Sequence, residues 1–125
     1  MPNEAKRPVI LICDDEEGIR ESFKLILEDF YELKFAHNGL EGIEMAKTAG
    51  ADMMFLDIKM PKLHGMETLK QIKKNCPQLP VVIVTGYQSV EIAQEALKNG
   101  ASDYIPKPFA SKHVLEVAEH LTAKK

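Results

Sequence analysis

Residues 8–15 read Pro-Val-Ile-Leu-Ile-Cys-Asp-Asp, an apolar and β-branched run that stops abruptly at two acids. A run that is apolar on both faces is typical of a strand buried on both sides, as parallel sheets require. Residues 52–57 and 81–86 repeat the arrangement as Asp-Met-Met-Phe-Leu-Asp and Val-Val-Ile-Val-Thr-Gly. With weaker runs at residues 31–36 and 102–105, the sequence predicts five strands.

Amphipathic stretches separate these runs. Their apolar residues recur at intervals of three and four, the spacing of one helix face, and Asn99-Gly100 is typical of a helix C-terminus. The predicted inward faces are Ile19, Phe23, Ile26, Leu27 and Phe30; Leu40, Ile43 and Ala46; Met66, Leu69 and Ile72; Val90, Ala93, Ala96 and Leu97; and Val114, Val117, Ala118 and Leu121. The alternation predicts an α/β fold, a doubly wound parallel sheet with helices on both faces. We expect a single domain over residues 1–125.

The composition argues against several classes of protein. At 125 residues and 14.0 kDa, the chain has room for one domain but hardly for two. A formal net charge of −3 gives no electrostatic drive toward nucleic acid or an anionic membrane. No apolar run approaches the roughly 20 residues that span a bilayer. Cys13 and Cys76 form no paired motif, so we expect free thiols in a reducing cytoplasm, Cys13 in the core and Cys76 at the surface.

Charged and hydroxyl residues follow the predicted strands. Asp14 and Asp15 follow the first, Asp57 the third, Thr85 the fourth and Lys107 the fifth. Ligands of open α/β sheets bind beside the carboxyl ends of the strands, so we expect these side chains to meet at one edge. Carboxylates with few neighbouring basic groups favour a hard cation, Mg²⁺ foremost. A cation, a lysine and a hydroxyl around a further carboxylate suit an incoming phosphoryl group.

The charge run continues through Glu16 and Glu17. Acids are favourable in the first turn of a helix, and we expect these two only to begin one. The four histidines form no metal-binding set; His113 and His120 are seven residues apart and are expected to be solvated.

Four motifs carry a resemblance to a known family. They are Asp14-Asp15 after a strand, Phe-Leu-Asp-Ile-Lys-Met-Pro at residues 55–61, Thr85-Gly86, and Lys107-Pro108-Phe109. In this order and spacing they resemble the receiver domain of response regulators in bacterial two-component signalling, over essentially the whole chain. The resemblance implies a flavodoxin-like sheet of order 2-1-3-4-5, which periodicity alone does not give. The Thr-Gly-Tyr stretch at residues 85–87 and the segment at residues 103–109 are most similar to receivers attached to AAA+ activators of the alternative sigma factor.

The resemblance also implies roles for individual residues. Asp57 would accept a phosphoryl group from a sensor histidine kinase or phosphotransfer protein. Mg²⁺ would be bound by Asp15, by Asp57 and by the backbone carbonyl of Lys59, with Asp14 acting through water.

Two further residues would contact the phosphoryl oxygens. Lys107 would pair with them and Thr85 would donate a hydrogen bond to one. Movement of Thr85 would let Tyr104 rotate inward as a switch, and the Lys107–Pro108 peptide bond would be cis.

The implied protein is a cytoplasmic signalling switch and not an enzyme on other substrates, because it would catalyse only its own phosphorylation and dephosphorylation. Its output protein or effector domain is unknown. We expect no direct binding of nucleic acid and no membrane association by this domain. The face formed by the fourth helix, fifth strand and fifth helix is the usual readout of the family and a candidate dimer interface.

The chain departs from the family pattern just before the third helix, where His64-Gly65 replaces the frequent Asp-Gly. Histidine is the poorer N-cap, so this loop is expected to be looser or adapted to a particular partner. Lys59 and Tyr87 lie two residues beyond Asp57 and Thr85, where family members tune the access of water to the acyl phosphate.

Two other functions compete with this interpretation. A flavodoxin-like cofactor binder would need a phosphate-binding loop rich in Ser, Thr and Gly after the first strand, where residues 14–17 would instead repel phosphate. A degenerate receiver would act only as a protein-interaction module, against which the intact set of acids, threonine and lysine argues.

Overall fold

The computed structural model describes residues 7–58, 65–86 and 90–123. Strands and helices alternate along the chain as the sequence predicts. The elements are β1 (Val9–Cys13), α1 (Glu17–Leu27), β2 (Glu32–Ala36), α2 (Gly39–Thr48), β3 (Met53–Leu56), α3 (Gly65–Asn75), β4 (Val81–Thr85), α4 (Val90–Lys98), β5 (Asp103–Pro106) and α5 (Ser111–Thr122).

The five strands form one parallel sheet in the order β2-β1-β3-β4-β5. This order confirms the one expected from the family resemblance. Cys13 at the end of β1 pairs with Ala36 on one side and with Leu56 on the other. Because the strands are parallel and in this register, their carboxyl ends meet at one edge of the sheet, which we call the C-terminal edge.

Alternate residues of each strand enter two separate hydrophobic clusters. In β1, Leu11 and Cys13 belong to the cluster that α2, α3 and α4 cover, while Ile10 and Ile12 belong to the cluster under α1 and α5. Burial of each large apolar side chain contributes about 1.5–3 kcal/mol to folding. The sheet is therefore packed on both faces, as its continuous apolar runs predict.

Helix α4 ends in the C-cap that Asn99-Gly100 predicts. Gly100 has a φ of 106°, and the amide of Ala101 donates to the carbonyl oxygen of Ala96 while that of Gly100 donates to Leu97. These two bonds form a Schellman motif, which needs a left-handed residue after the helix.

Several predicted inward residues are exposed instead. The exposed fraction is 60% for Leu40, 69% for Val90, 49% for Leu97 and 58% for Phe30, which lies beyond the end of α1. In α2 the glycines Gly39 and Gly42 are buried, together with parts of Ile43 and Ala46. Helical spacing indicates a face but not its width, and α2 and α4 pack through small residues.

The two cysteines differ less than the sequence suggests. Cys13 is buried in the core, as predicted. Cys76, predicted at the surface, is half-buried, and its thiol donates to the carbonyl oxygen of Ala46 at 3.4 Å. Within the described ranges, no helix combines the length and apolar character needed to cross a bilayer.

Candidate functional site

Asp14 is the first residue after β1, and both of its carboxylate oxygens are engaged. Its amide donates to the carbonyl oxygen of Ala36, which continues the ladder to β2. Oδ1 accepts a hydrogen bond of 2.9 Å from the amide of Glu16, and Oδ2 lies 3.0 Å from the Nζ of Lys107. Arg20 of α1 donates to the carbonyl oxygen of Asp14 at 2.8 Å. These bonds hold the buried carboxylate at the C-terminal edge.

Lys107 joins three carboxylates. It follows β5, where its amide donates to the carbonyl oxygen of Thr85. Its Nζ lies 3.0 Å from Asp14, 3.0 Å from Asp57 and 2.9 Å from Glu16. Residues that are distant in sequence thus meet because strands β1, β3 and β5 all end at this edge.

The environment shifts the pKa values of two of these groups. Burial raises the pKa of Asp14, and this outweighs the opposing effect of its hydrogen bonds to the Glu16 amide and Lys107. Burial alone would lower the pKa of Lys107, but hydrogen bonds to Glu16, Asp57 and Asp14 raise it above its usual range. Lys107 is therefore a permanent cation at the centre of the acids, which suits a residue that binds an anionic group.

An open cavity of about 350 Å³ adjoins these side chains. Asp15, Glu16, Asp57, Gly86 and Lys107 line it. One carboxylate oxygen each from Asp14, Glu16 and Asp57 lies within 4.8 Å of the others. Oxygen donors at this separation fit a hard divalent cation such as Mg²⁺, which binds through one or two carboxylates and keeps several waters.

Thr85 and Tyr104 lie on adjacent strands of the sheet, where Tyr104 pairs with Ile83, two residues before Thr85. Thr85 is the last residue of β4 and is fully buried, next to Gly86 of the cavity. Tyr104 of β5 is half-buried and packs against the cluster beneath α3 and α4. Its hydroxyl is shielded from solvent and has no hydrogen-bond partner within the described part of the chain.

The predicted site residues are largely brought together. Asp14 and Asp57 contact Lys107 directly, and Asp15 faces the same cavity. The Lys107–Pro108 peptide bond is cis, as expected. Lys59, the expected source of a metal-binding carbonyl, lies outside the described residues, as do His64 and Tyr87.

Glu16 is the residue that the sequence analysis missed. It was expected only to begin α1, yet its side chain makes no capping bond and reaches Lys107 instead. Glu17, by contrast, lies in the first turn of α1 as expected. The available signal was position, because Glu16 is the second residue after the buried Asp14, whereas Glu17 belongs to the helix. His113 and His120 are exposed, as predicted.

A doubly wound parallel sheet with buried acids and a lysine at its C-terminal edge defines a class of ligand-binding α/β domain. Comparison with known proteins specifies the family. The family model described as "Response regulator receiver domain" matches residues 10–119. The chain therefore belongs to the receiver domains of response regulators, proteins that are phosphorylated in signalling.

Individual relatives agree with this assignment. Response regulator MprA of Mycobacterium ulcerans is 37% identical over 107 residues, which cover 85% of this chain and 46% of MprA. The chain thus spans about half the length of the curated relatives it matches. A CheY-like receiver domain protein from Methanospirillum hungatei is 36% identical with a TM-score of 0.87, covering 93% of this chain and 94% of that one.

A third relative bears on the predicted branch of the family. NtrX from Brucella abortus, solved in complex with ADP, is 34% identical with a TM-score of 0.86. The match covers 93% of this chain but 27% of NtrX. This likeness is consistent with the predicted similarity to receivers of AAA+ regulators.

Proposed function

We propose that this chain is a phosphorylatable switch in which Asp57 accepts a phosphoryl group from a sensor histidine kinase or a phosphotransfer protein. The observation that carries the proposal is the contact of 3.0 Å between Asp57 and the Nζ of Lys107, a permanent cation, beside an open cavity. Within the described part of the chain, Asp57 is buried and lines this cavity, which gives an incoming group a direction of approach.

The reaction is a displacement at phosphorus. An oxygen of the Asp57 carboxylate attacks the phosphorus of a phosphohistidine, an acyl phosphate bond forms, and the bond between phosphorus and nitrogen breaks with its electron pair passing to the imidazole. Lys107 neutralises charge on the phosphoryl oxygens, and Thr85 donates a hydrogen bond to one of them. Mg²⁺ held by Asp14, Asp15, Asp57 and the carbonyl of Lys59 would supply the remaining positive charge.

The proposed readout is a change in the surface formed by α4, β5 and α5. Movement of Thr85 toward the phosphoryl group would be coupled to rotation of Tyr104 on the adjacent strand. In support, the Tyr104 ring is already half-buried and its hydroxyl is enclosed. The exposed Val90 and Leu97 of α4 provide apolar area for an output partner or a second copy of the chain.

The proposal treats residues 1–125 as one cytoplasmic receiver domain that catalyses only its own phosphorylation and dephosphorylation. It controls an output protein or effector domain and binds neither nucleic acid nor membrane itself. The net charge of −3 supports the last point.

Treatment with acetyl phosphate and Mg²⁺, followed by mass spectrometry of the intact protein, tests the proposal. We expect the mass of one phosphoryl group on the wild type and none on Asp57→Asn. Asp15→Ala should need much more Mg²⁺ for the same yield, while Glu17→Ala, an exposed neighbour of equal charge, should not. An unmodified wild type, or undiminished modification of Asp57→Asn, would refute the assignment.

A further inference from the structure

The three carboxylates around Lys107 leave a question that the proposed function does not answer. An ammonium group has three N–H donors, and Asp14, Glu16 and Asp57 each lie 2.9–3.0 Å from Nζ. Phosphoryl oxygens on Asp57 would need at least one of these donors. Phosphorylation converts the Asp57 carboxylate into an acyl phosphate, and its anionic phosphoryl oxygens then compete for Lys107 with the two carboxylates that remain, Asp14 and Glu16.

Solvent exposure indicates which carboxylate yields. The exposed fraction of the side chain is 2% for Asp14 and 4% for Asp57, but 62% for Glu16. A buried carboxylate that loses its partner remains as an unpaired charge in the protein interior, which is energetically unfavourable. An exposed carboxylate that loses its partner is hydrated by water instead. The exchange is therefore least costly at Glu16.

Backbone hydrogen bonds fix the position from which the Glu16 side chain reaches Lys107. Its amide is held by Asp14, and its carbonyl oxygen accepts the first hydrogen bonds of α1, from Ile19 and Arg20. At this N-cap position a side chain commonly turns back to the helix amides, yet that of Glu16 extends to Lys107 across 91 residues of sequence. Rotation of the Glu16 side chain releases this contact.

We propose that Glu16 is a positioning residue for phosphorylation: it holds Lys107 in place in the unphosphorylated protein and yields its N–H donor to an oxygen of the phosphoryl group on Asp57. The step breaks no covalent bond of Glu16; the hydrogen-bonded ion pair with Lys107 is exchanged for hydration of the carboxylate. The inference rests on the proposed function of Asp57 and adds a residue to it.

Binding of beryllofluoride, a stable mimic of the phosphoryl group, measures the exchange directly. We would titrate beryllium fluoride into the whole chain at saturating Mg²⁺ and follow backbone amide shifts by NMR. Glu16→Gln removes the competing charge, so its affinity for beryllofluoride should rise about two- to five-fold, the range in which an ion pair with an exposed partner shifts an equilibrium. Glu17→Gln, the matched control, makes the same change of charge one residue away.

Equal affinities for Glu16→Gln and Glu17→Gln would overturn the inference, since only a general charge effect would then remain. Weaker binding by Glu16→Gln would also overturn it, because Glu16 would then assist the bound state. A wild type that binds no beryllofluoride would refute the function of Asp57 itself, which keeps the two failures distinct.

A second measurement needs no substitution. In the wild type, the side-chain carboxyl carbon of Glu16 should shift on addition of beryllofluoride toward the position of an exposed glutamate, while that of Glu17 stays unchanged. A Glu16 signal that does not move would show that the contact with Lys107 persists, contrary to the inference.

Discussion

Gly42 lets α2 lie close to the end of β1. A Cβ atom at this position would lie 2.7 Å from the Sγ of Cys13, closer than such atoms approach each other. The thiol of Cys13 in turn donates to the carbonyl oxygen of Asn38, just before α2. Because Asp14 follows Cys13 directly, this contact also sets the position of the buried acid.

Gly42→Ala should lower the free energy of unfolding by about 1 kcal/mol. Overpacking costs about 1–3 kcal/mol, and the better helix propensity of alanine offsets up to about 1 kcal/mol of that. Urea denaturation of Gly42→Ala, Cys13→Ala and the double variant measures the effect. Removal of the sulfur makes room for the new methyl group, so the double variant should lose less stability than the sum of the single variants. Additive losses would contradict this contact as the cause.

Single residues were predictable where one role dominates. Asp14, Asp57 and Lys107 follow predicted strands, and parallel pairing alone brings them to one edge. Glu16 was missed because acids at the start of a helix are common for electrostatic reasons. Only the three-dimensional distance to Lys107 reveals its second role.

Helix α2 begins in a network of three polar residues. Asn38 is its N-cap, and its Oδ1 accepts a hydrogen bond of 2.9 Å from the amide of Glu41. Glu41 in turn accepts bonds from the amide and the ring of His37. The backbone hydrogen bond from His37, followed by the ring contact, lowers the pKa of Glu41. Its contribution to stability is therefore present above its unfolded pKa and is lost as pH falls through the lower, folded value.

Asn38→Ala should lower the free energy of unfolding by about 1 kcal/mol, because it leaves an amide of the first turn without its partner. Thermal or urea denaturation at neutral pH measures the loss. Asn38→Ser is the matched control, since serine is an equally good N-cap, and it should restore most of the stability. If alanine and serine were equivalent, the side-chain bond would not contribute.

The elements were predictable in kind but less so in orientation. Every predicted strand and helix exists, with ends displaced by up to three residues. The predicted inward faces of α2 and α4 were partly wrong. Leu40, Val90 and Leu97 fit the apolar helical spacing, but their side chains are exposed to solvent. The deciding contacts are made by small residues such as Gly42 and Ala96, which carry little weight in a hydrophobic pattern.

For the whole molecule, the fold class followed from the alternation of strands and helices, while the strand order did not. Any order of parallel strands satisfies the same periodicity, so the order 2-1-3-4-5 came from the family motifs. The site excludes the flavodoxin-like alternative for a physical reason. The carboxylates of Asp15, Glu16 and Asp57 line the cavity. A cofactor of that kind would need hydrogen-bond donors for its phosphate group at this place, and carboxylates repel phosphate.

The site also costs the whole domain some of its stability. Among the described residues, the carboxylates of Asp14, Glu16 and Asp57 all lie within 3.0 Å of the ammonium group of Lys107, so they also repel one another. Asp14→Asn should therefore raise the free energy of unfolding at pH 7 by about 1 kcal/mol. The same substitution removes a proposed Mg²⁺-binding carboxylate, so the gain in stability should come with a loss of function. Mg²⁺ should stabilise the wild type more than the variant, because it relieves the same repulsion. Urea denaturation with and without Mg²⁺ measures both effects.

The stabilising effect of Asp14→Asn should depend on pH, and the shifted pKa of Asp14 gives the direction of that dependence. Burial raises the pKa of Asp14 above its unfolded value, so the folded state loses stability as pH rises through that folded pKa. The advantage of Asp14→Asn should accordingly be small in acid and grow as pH rises. Asp29→Asn, which removes an exposed acid and makes the same change of charge, is the matched control. Parallel curves for the two variants would contradict a local origin.

Opposite the C-terminal edge of the sheet lies the edge at which the strands begin, which we call the N-terminal edge. It offers a place for attaching a label far from the site. Gly50 and Gly100, with φ values of 68° and 106°, turn the chain where β3 and β5 begin, and exposed Gln78 lies in the matching connection before β4. A tether or dye attached at Gln78 would stand at the opposite end of the strands from Asp57. Protein immobilised there would present its reactive edge outward, accessible to a kinase in solution.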